Sequence, residues 1–467
     1  MAAPRARRVA RSPSAADADP EPRRAYVVDE QGRRYDLGAE IGAGGQGAVH
    51  RVLGRPLAVK LRRTSGVERG AVEERVRAVR RLDLSGVRIA RPVALLRPPR
   101  LGYVMELMED MQPLSVLIPG DGCPATRDGY LGGGGLRRRL MLLARCADAL
   151  TRLHGKGLVY GDLSASNVLV STSPDHDEVQ LIDPDNLRYW SEPLHVYTRG
   201  YGAPELASGR SGVTTLTDAH AFAVAAFLVL RGVHPFTGDA VVEGESEMEN
   251  RAFAGELPWI DDPADDSNAT TRGLPGDVVL SPLLLDLVQR TFGAGRTAPE
   301  LRPGVAEWAE RLHAAADATV ECVGCGSTFF LTLEACPWCD ARVPSFVLAR
   351  FHLLDPEGDR ERMPPRVGVR AVCRDAPVRL EGRDVGIWGV ADADEPRLEL
   401  FWNGSVLLVK ALDGRRYRAV SGGRPLEVGE SEVAIEVRRG AAAGRIHLGP
   451  ADRVHRVLSF ELRQPHP

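Results

Sequence analysis

No stretch of this chain is apolar for long enough to cross a lipid bilayer. The longest apolar run, residues 221–230, is bracketed by His220 and Arg231 and has about half of the roughly 20 residues that a membrane helix needs. Residues 1–24 are rich in Ala, Arg, Pro and Asp and lack the apolar core of a signal peptide. We therefore expect a buried helix at 221–230, a disordered tail at 1–24, and a cytoplasmic protein that does not bind membranes.

The chain also lacks a marked excess of charge of either sign. It carries 60 Lys and Arg residues against 63 Asp and Glu residues, which gives a net charge of -3. This balance offers no electrostatic reason to expect nucleic acid as a partner. The length of 467 residues suggests about three domains at roughly 150 residues each.

Cysteine is scarce and unevenly placed, with seven residues in the whole chain. Cys123, Cys146 and Cys373 are isolated, and we assign no chemistry to them. The other four form two CxxC pairs with a ten-residue spacer, which is typical of a closed tetrahedral Zn²⁺ site with a structural role. Two disulfides and an iron–sulfur cluster are the alternatives, and a reducing compartment disfavours the disulfides. The predicted zinc ligands are Cys322, Cys325, Cys336 and Cys339.

Apolar periodicity divides the chain into a strand-rich part, a helical part and a second strand-rich part. Glycine turns and strand alternation mark the first part, with one helix at 67–82. The amphipathic run 136–154 is the clearest helix of the second part. Residues 238–277 are acidic and glycine-rich, and we predict a loop insertion there. The β-type runs of the third part are 346–354, 367–373, 398–402, 405–412, 433–437 and 457–462.

Residues 41–49 contain the pattern G-x-G-x-x-G-x-V. Alone this pattern is weak, because it also occurs in dinucleotide-binding folds, where a helix follows the glycines directly. Here the glycines are followed by two strand-like runs, 48–52 and 56–61. A glycine hairpin between strands can lay backbone N–H groups over phosphates, and Lys60 on the next strand can reach the same oxygens.

Lys60 has apolar neighbours on its strand, so it needs a carboxylate partner if it is buried. The helix that follows offers Glu73 and Glu74, and we favour Glu74. For any single glutamate, the commoner arrangement is a solvated helix face with charge pairs four residues apart. The sequence leaves both partners open.

Three polar residues, Asp162, Asn167 and Asp183, stand at the ends of apolar runs in the helical part. In phosphoryl transfer one aspartate accepts the proton of the attacking hydroxyl, while an asparagine and a second aspartate hold Mg²⁺ against the phosphates. Turn formation alone would explain each residue taken singly. The joint order of glycine loop, lysine, Asp…Asn and Asp favours the catalytic interpretation.

With these motifs in this order, residues 35 to about 316 resemble the protein kinase superfamily, and more narrowly a bacterial branch whose members often carry a cysteine ribbon or a helix-hairpin-helix appendix. The resemblance implies that Lys60 orients ATP, that Asp162 is the catalytic-loop aspartate, and that Asn167 and Asp183 bind Mg²⁺. The nucleotide-binding residues that it implies are Ile41, Gly42, Gly44, Gly47, Val49, Ala58, Lys60, Glu74, Met105, Glu106, Met108 and Leu169.

Further motifs extend this resemblance along the chain. Residues 203–205, Ala-Pro-Glu, resemble the triplet that ends a kinase activation segment, which disfavours a small-molecule kinase. Asp218 resembles the aspartate that opens the large central helix, and Arg302 resembles the arginine that pairs with Glu205. Residues 103–108 resemble the hinge that faces adenine.

Three departures from the family pattern bear on regulation and rate. The catalytic loop reads Tyr-Gly-Asp at 160–162 without an arginine before the aspartate, so we predict weak dependence on activation-loop phosphorylation. Residues 183–185 read Asp-Pro-Asp, and the proline fixes φ, which disfavours a swinging in-and-out switch. Ser164 stands where Ser/Thr kinases carry a lysine near the transferred phosphate.

The sequence thus predicts an α+β chain with a bilobal protein-kinase-like fold, a small zinc ribbon and a β-rich C-terminal domain. The predicted activity is transfer of the ATP γ-phosphoryl group to Ser or Thr of a protein substrate, and a pseudokinase scaffold is the alternative. A partner protein could bind through the C-terminal domain. The predicted boundaries are 1–24 for the tail, 25–316 for the kinase domain (25–109 and 110–316 for its lobes), 317–344 for the ribbon and 345–467 for the β-rich domain.

Overall fold

The protein is described by a computed structural model and divides into two compact units. The first unit comprises Met1–Leu82 and Arg91–Glu109, and the second comprises Asp83–Ala90 and Asp110–Pro467. The predicted tail at 1–24 and Cys123 lie outside the described residues. The structure describes residues 25–44, 47–63, 69–118, 127–189, 195–357, 366–386, 394–440 and 442–464.

The first unit is an antiparallel sheet with one helix. Its elements are β1 (Tyr26–Val28), β2 (Arg34–Gly44), β3 (Gly47–Val52), β4 (Leu57–Arg62), α1 (Arg69–Arg81), β5 (Pro92–Leu95) and β6 (Gly102–Glu106). The six strands lie in the order β1-β2-β3-β4-β6-β5. Strand alternation sends Val59 and Val104 to one apolar face and Tyr103 to the other, where it packs with Val72 and Val76 of α1.

The helical part of the second unit contains short strands and helices of very different lengths. In chain order its elements are β7 (Met111–Pro113), α2 (Arg127–Gly132), α3 (Gly135–Gly155), β8 (Leu158–Val159), β9 (Val168–Ser171), β10 (Val179–Leu181), β11 (Arg188–Tyr189), α4 (Pro204–Ala207), α5 (Thr215–Arg231), α6 (Asp239–Val242), α7 (Ser246–Phe253), α8 (Gly276–Val279), α9 (Pro282–Gln289), α10 (Gly295–Thr297) and α11 (Val305–Asp317). Single helical turns of 3₁₀ or π type lie at Leu114–Leu117, Pro184–Asn186, Arg290–Ala294 and Pro299–Leu301.

The predicted buried helix at 221–230 is confirmed as part of α5. The helix begins in a capping box, in which the Thr214 side chain accepts the N–H of Thr217 and the Thr217 side chain accepts the N–H of Thr214. It ends at Gly232, whose φ of 71° suits a left-handed helix end. In the part of the chain that the structure describes, no helix has both the length and the apolar character of a membrane span.

The prediction of a loop at 238–277 is wrong, because three helices, α6, α7 and α8, lie within this stretch or at its end. Each helix has at most eight residues, so each is too short to show a clear apolar period. They are held by single buried side chains, Val241 and Ala252 among them. The many acidic residues that suggested a loop lie mainly on exposed surfaces.

Strands dominate the remainder of the second unit. They are β12 (Thr319–Glu321), β13 (Thr328–Phe330), β14 (Phe346–Leu354), β15 (Arg366–Cys373), β16 (Val378–Glu381), β17 (Pro396–Trp402), β18 (Leu407–Ala411), β19 (Tyr417–Ser421), β20 (Arg424–Val428), β21 (Val433–Ile435), β22 (Gly444–His447) and β23 (His455–Arg463), with helix α12 (Gly382–Val385) after β16. One sheet has the order β15-β14-β23-β22-β19-β20 and another has the order β16-β17-β18-β21. Side chains of both sheets share one core that includes Val347, Leu400 and Leu458.

Candidate active site and cysteine site

The glycine hairpin of the first unit is formed by β2 and β3. Gly42 lies opposite Val49, and Gly44 lies opposite Gly47. A Cβ atom at Gly47 would lie 2.0 Å from the Leu61 carbonyl oxygen, so the close approach of β4 requires glycine there. At Gly42, by contrast, no heavy atom of the described residues lies within 4 Å of the Cβ position, so these residues leave the Gly42 backbone open on one side.

Lys60 lies on the face of this sheet that also carries other predicted nucleotide-binding residues. It is 5% exposed and lies opposite Val49 on one neighbouring strand and Tyr103 on the other. Its Nζ atom is 5.9 Å from the centroid of the Tyr103 ring. Ala58 and Met105 lie opposite each other two residues along, on the same face because strand side chains alternate.

Glu73 and Glu74 occupy different environments on α1. Glu73 accepts hydrogen bonds from Arg69 at 3.0 Å and Arg77 at 3.3 Å. Glu74 is exposed and has no ion pair among the described residues. Both arginine contacts are four residues from Glu73, which is the spacing of helix charge pairs. The pairing of Lys60 with Glu74 stays a prediction.

The other predicted nucleotide contacts are placed as follows. Ile41 is 49% exposed, Glu106 is exposed and Met108 is half-buried. Leu169 is half-buried on β9, where it lies opposite Gln180 and two residues after Asn167.

Asp162 and Asn167 are held together in the loop between β8 and β9. The Asn167 side-chain amide donates to the Asp162 carbonyl oxygen at 2.8 Å. The Thr198 hydroxyl donates to the Asp162 carboxylate, also at 2.8 Å. Sequence reasoning missed Thr198, and its position five residues before the Ala-Pro-Glu triplet is the one signal that could have found it.

The same loop is tied to the start of α5 by Asp218. One carboxylate oxygen of Asp218 accepts the N–H of Tyr160 at 2.7 Å, and the other accepts the N–H of Gly161 at 2.9 Å. His154, at the end of α3, lies 3.1 Å from the first of these oxygens. Because Asp218 is only 2% exposed, these contacts satisfy a buried charge and fix the backbone just before Asp162.

Asp183 follows β10 and is joined to the catalytic loop through Tyr160. The Tyr160 hydroxyl donates a short hydrogen bond to the Ile182 carbonyl and lies 3.4 Å from the Asn167 carbonyl. The Ile182 N–H in turn donates to that same Asn167 carbonyl at 3.0 Å. Asp183 has a left-handed φ of 60°, and this strained backbone is characteristic of functional turns. Burial raises the pKa of Tyr160 well above its usual value of 10, so this hydroxyl stays protonated and keeps its donor role.

The segment that ends in the Ala-Pro-Glu triplet is anchored by one buried and one partly buried contact. Arg302 donates to both carboxylate oxygens of Glu205, at 2.6 and 2.7 Å, so the predicted pairing of these residues is confirmed. His234 lies 2.8 Å from the Gly200 carbonyl through Nε2, and its Nδ1 accepts the Phe236 N–H at 3.1 Å. His234 therefore carries its proton on Nε2 and is neutral in this arrangement.

The four predicted zinc ligands lie together. Their sulfur atoms are all within 4.8 Å of one another, with 3.5 Å between those of Cys322 and Cys339 and 3.7 Å between those of Cys325 and Cys336. A tetrahedron of sulfurs bound to Zn²⁺ at about 2.3 Å has edges of about 3.8 Å, whereas a disulfide has an S–S distance of about 2.05 Å. The arrangement therefore fits a four-thiolate metal site.

The two cysteine pairs form matching turns. The N–H of Gly326 donates to the carbonyl of Cys322 at 2.9 Å, and the N–H of Asp340 donates to that of Cys336 at 3.0 Å. Gly326 and Asp340 both have left-handed φ values, 72° and 57°. A Cβ atom at Gly324 would lie 3.4 Å from the Cys339 sulfur and 3.2 Å from a neighbouring methyl group, so the two turns pack closely at this glycine.

Comparison with known proteins finds similarity to serine/threonine-protein kinases. The chain is 30% identical over 242 residues to serine/threonine-protein kinase pkn2 of Myxococcus xanthus, which covers 48% of this chain and 27% of pkn2. It is 30% identical over 223 residues to the DNA damage-responsive serine/threonine-protein kinase RqkA of Deinococcus radiodurans, with coverages of 44% and 31%. With serine/threonine-protein kinase mos of Xenopus laevis it shares 28% identity over 225 residues, with coverages of 43% and 58%. The chain thus spans less than a third of the length of the first two relatives.

A sequence model of the protein kinase domain matches residues 35–307. This match extends past Arg302 and includes the glycines of the hairpin, Lys60, Asp162, Asn167 and Asp183. It covers more than half of the 467 residues, and the chain belongs to the protein kinase family.

Proposed function

We propose that this protein transfers the γ-phosphoryl group of MgATP to a Ser or Thr hydroxyl of a protein substrate. The observation that carries the proposal is the fixed pair of Asp162 and Asn167. Asp162 is oriented by Thr198, and Asn167 is oriented by the Asp162 backbone. One loop thereby holds both a side chain that would accept a proton, Asp162, and a side chain that would bind a metal ion, Asn167.

The chain offers groups that fit each part of the nucleotide. The open backbone at Gly42 and the buried amine of Lys60 would hold the phosphates, while Asn167 and Asp183 would supply the oxygen ligands that Mg²⁺ prefers. Ala58 and Met105 would contact adenine from the sheet face that they share. When bound, MgATP supplies the phosphoryl group that is transferred.

Asp162 would orient the acceptor hydroxyl and accept its proton. Thr198 holds one carboxylate oxygen of Asp162 at 2.8 Å, which leaves the other oxygen for the acceptor. Because phosphoryl transfer needs mainly positioning and charge stabilisation, this orientation accounts for much of what the protein itself contributes. A Ser or Thr acceptor is supported by the relatives, which are named as serine/threonine kinases.

We further propose that Cys322, Cys325, Cys336 and Cys339 hold a structural Zn²⁺. A closed set of four thiolates leaves no open coordination position, so the metal would crosslink the chain and would not take part in the reaction. In this proposal the ribbon is 317–344, and residues 345–467 form an accessory β-rich domain that can contact a partner protein.

The test of the proposed activity is transfer of labelled phosphate from γ-labelled ATP to generic protein substrates by the purified chain. Asp162→Asn should reduce transfer by about 10³-fold or more, while ATP affinity, measured by calorimetry, should change less than about threefold. Asp175→Asn is the matched control, since Asp175 is an exposed loop residue outside the proposed site, and it should leave both quantities unchanged.

The alternative is a pseudokinase scaffold that binds ATP without turnover. The ordered Asp162, Asn167 and Asp183 argue against it, since a scaffold needs neither a proton acceptor nor a metal ligand. Transfer that is equally slow in wild type and Asp162→Asn, together with normal ATP binding, would establish the scaffold. Full transfer by Asp162→Asn would show that another group accepts the proton.

A further inference from the structure

We propose that the site formed by Cys322, Cys325, Cys336 and Cys339 stabilises helix α3 and, through it, the loop that carries Asp162. Arg137 and Trp338 are the positioning residues of this connection. The inference rests on the proposed kinase function for its consequence on rate. The claim that the cysteine turns order α3 rests on contacts between these turns and α3, and both belong to the second unit.

Arg137 joins the first turn of α3 to the two strands that flank the first cysteine pair. Its backbone N–H donates to the Thr328 hydroxyl at 2.9 Å. Its guanidinium donates to the hydroxyl and the carbonyl of Thr319, at 2.7 and 2.9 Å. The first N–H groups of a helix have no partner within the helix, so Thr328 acts as a cap that is supplied from 191 residues away.

Trp338 makes the second connection, from within the second cysteine pair. Its ring lies 5.3 Å from the ring of Tyr130 on α2. Tyr130 also contacts Arg139 of α3, whose guanidinium carbon is 3.9 Å from the Tyr130 ring centroid and whose Nη1 donates to the Tyr130 carbonyl at 2.8 Å. Contacts through Trp338, Tyr130 and Arg139 therefore connect the second cysteine turn to α3.

The cysteine turns also pack against the C-terminal strands. Cys322 and Cys336 are buried in one apolar cluster with Phe346 and Leu348 of β14 and Ala371 of β15. The turns thus contact both a six-stranded sheet and, through Arg137 and Trp338, the start of α3. Because the metal would crosslink the two turns that make these contacts, its loss would loosen the contacts of Arg137 and Trp338.

Helix α3 leads directly to the catalytic residues. It ends at Gly155, and its residue His154 contacts Asp218, which holds the N–H groups of Tyr160 and Gly161. A change in the order of α3 would therefore reach the loop that carries Asp162. Packed elements with buried polar contacts transmit displacements of this kind.

The test is hydrogen–deuterium exchange of the full chain, without ATP, before and after removal of zinc by a chelator, with metal release measured in parallel. In the wild type, zinc removal should speed amide exchange at residues 135–143 by about tenfold. In Arg137→Ala and Trp338→Ala, exchange there should be fast before chelation and should rise less than about twofold after it. Trp338→Phe keeps a ring against Tyr130 and should restore the wild-type response.

Two exposed positions serve as matched controls: Arg152 near the other end of α3 and Val323 within the first cysteine pair. Their alanine variants should show the same change in exchange on zinc removal as the wild type.

With protein substrates, Trp338→Ala should lower kcat about threefold to tenfold while KM for ATP changes less than about twofold. The proposal is overturned if metal release leaves exchange in α3 unchanged, or if Arg137→Ala and Trp338→Ala respond as wild type does. Since exchange needs no turnover, an inactive kinase would leave this structural result intact.

Discussion

At the scale of single residues, the Tyr160 hydroxyl is the contact that most directly links the two candidate metal ligands. It donates to the Ile182 carbonyl, next to Asp183, and lies near the Asn167 carbonyl. Tyr160→Phe should lower kcat about tenfold, because the positions of Asn167 and Asp183 would no longer be coupled. The free energy of unfolding should fall by about 1 to 3 kcal/mol, since a buried carbonyl loses its donor. Steady-state kinetics and chemical denaturation measure both effects.

Tyr189→Phe is the control for this substitution. Tyr189 is 47% exposed and lies on β11, which pairs with the strand just before Tyr160, so loss of its hydroxyl should change neither quantity. A Tyr160→Phe protein with wild-type kcat would show that the backbone contacts of Ile182 and Asn167 suffice to couple the two ligands.

A second residue-scale contrast concerns two arginine–glutamate pairs of the second unit. The Arg302 side chain is fully buried against Glu205, whereas the Arg290 side chain is 41% exposed beside Glu307. Arg302→Ala should cost about 3 to 5 kcal/mol of unfolding free energy, because it leaves a buried carboxylate without its partner. Arg290→Ala should cost at most about 1 kcal/mol. If urea denaturation gave equal losses of unfolding free energy for the two variants, burial would not determine how much each pair contributes to stability.

Residue spacing could single out the candidate catalytic side chains, but not the contacts that orient them. Asp162, Asn167 and Asp183 are recognisable from their order along the chain. Thr198 and the Tyr160 hydroxyl act through hydrogen bonds that span 36 and 22 residues, and no local pattern encodes such distances. Glu73 shows the converse case, because its contacts with arginines four residues away follow a local rule.

At the scale of elements, the length of a helix or strand determines whether its residue pattern is sufficient to locate it in the sequence. Helix α3 has 21 residues and α5 has 17, so both show several apolar turns and could be located. Helix α6 has only four residues, and the missed strand β20 reads Arg-Pro-Leu-Glu-Val. In such short elements tertiary packing overrides the local pattern.

His234, which contacts Gly200 in the segment between β11 and α4, should make the stability of the protein depend on pH. Burial lowers the pKa of His234 to about 4, below its usual 6.5. Between these values the unfolded chain binds the proton and the folded chain does not, so stability should fall as the pH drops from 6.5 toward 4. Burial also lowers the pKa of His220, which adds to the effect. Free energies of unfolding from urea denaturation, recorded against pH, measure this slope.

His234→Gln separates the contribution of His234 from that of His220. A glutamine amide can donate to the Gly200 carbonyl in place of Nε2 but does not titrate, so the slope between pH 6.5 and 4.5 should decrease by up to about 1.4 kcal/mol per pH unit. An unchanged slope in this variant would mean that other groups account for the acid sensitivity.

At the scale of the whole molecule, the C-terminal strands and the kinase helices share ionic contacts within the second unit. Arg145 of α3 pairs with Asp177 at 2.8 Å and with Asp394 at 3.1 Å. Asp317, the last residue of α11, pairs with Arg370 of β15 and with Arg383 of α12. The sequence could predict strands after residue 344 but not these contacts, because each joins residues far apart along the chain.

These contacts predict that the stability of the kinase helices depends on the residues after 316. A chain that ends at residue 316 lacks the partners of Arg137, which are Thr319 and Thr328, and lacks Asp394, one of the partners of Arg145, although Asp177 remains. It also exposes the surface of α3 that the missing residues cover. Its thermal unfolding midpoint should lie more than about 5 °C below that of the full chain, since several buried polar contacts are lost together. Differential scanning calorimetry measures this shift, and Arg145→Ala in the full chain should account for only a small part of it, because Arg137 and Asp317 keep their contacts. A truncated chain with the midpoint of the full protein would mean that these contacts add no net stability to the kinase helices.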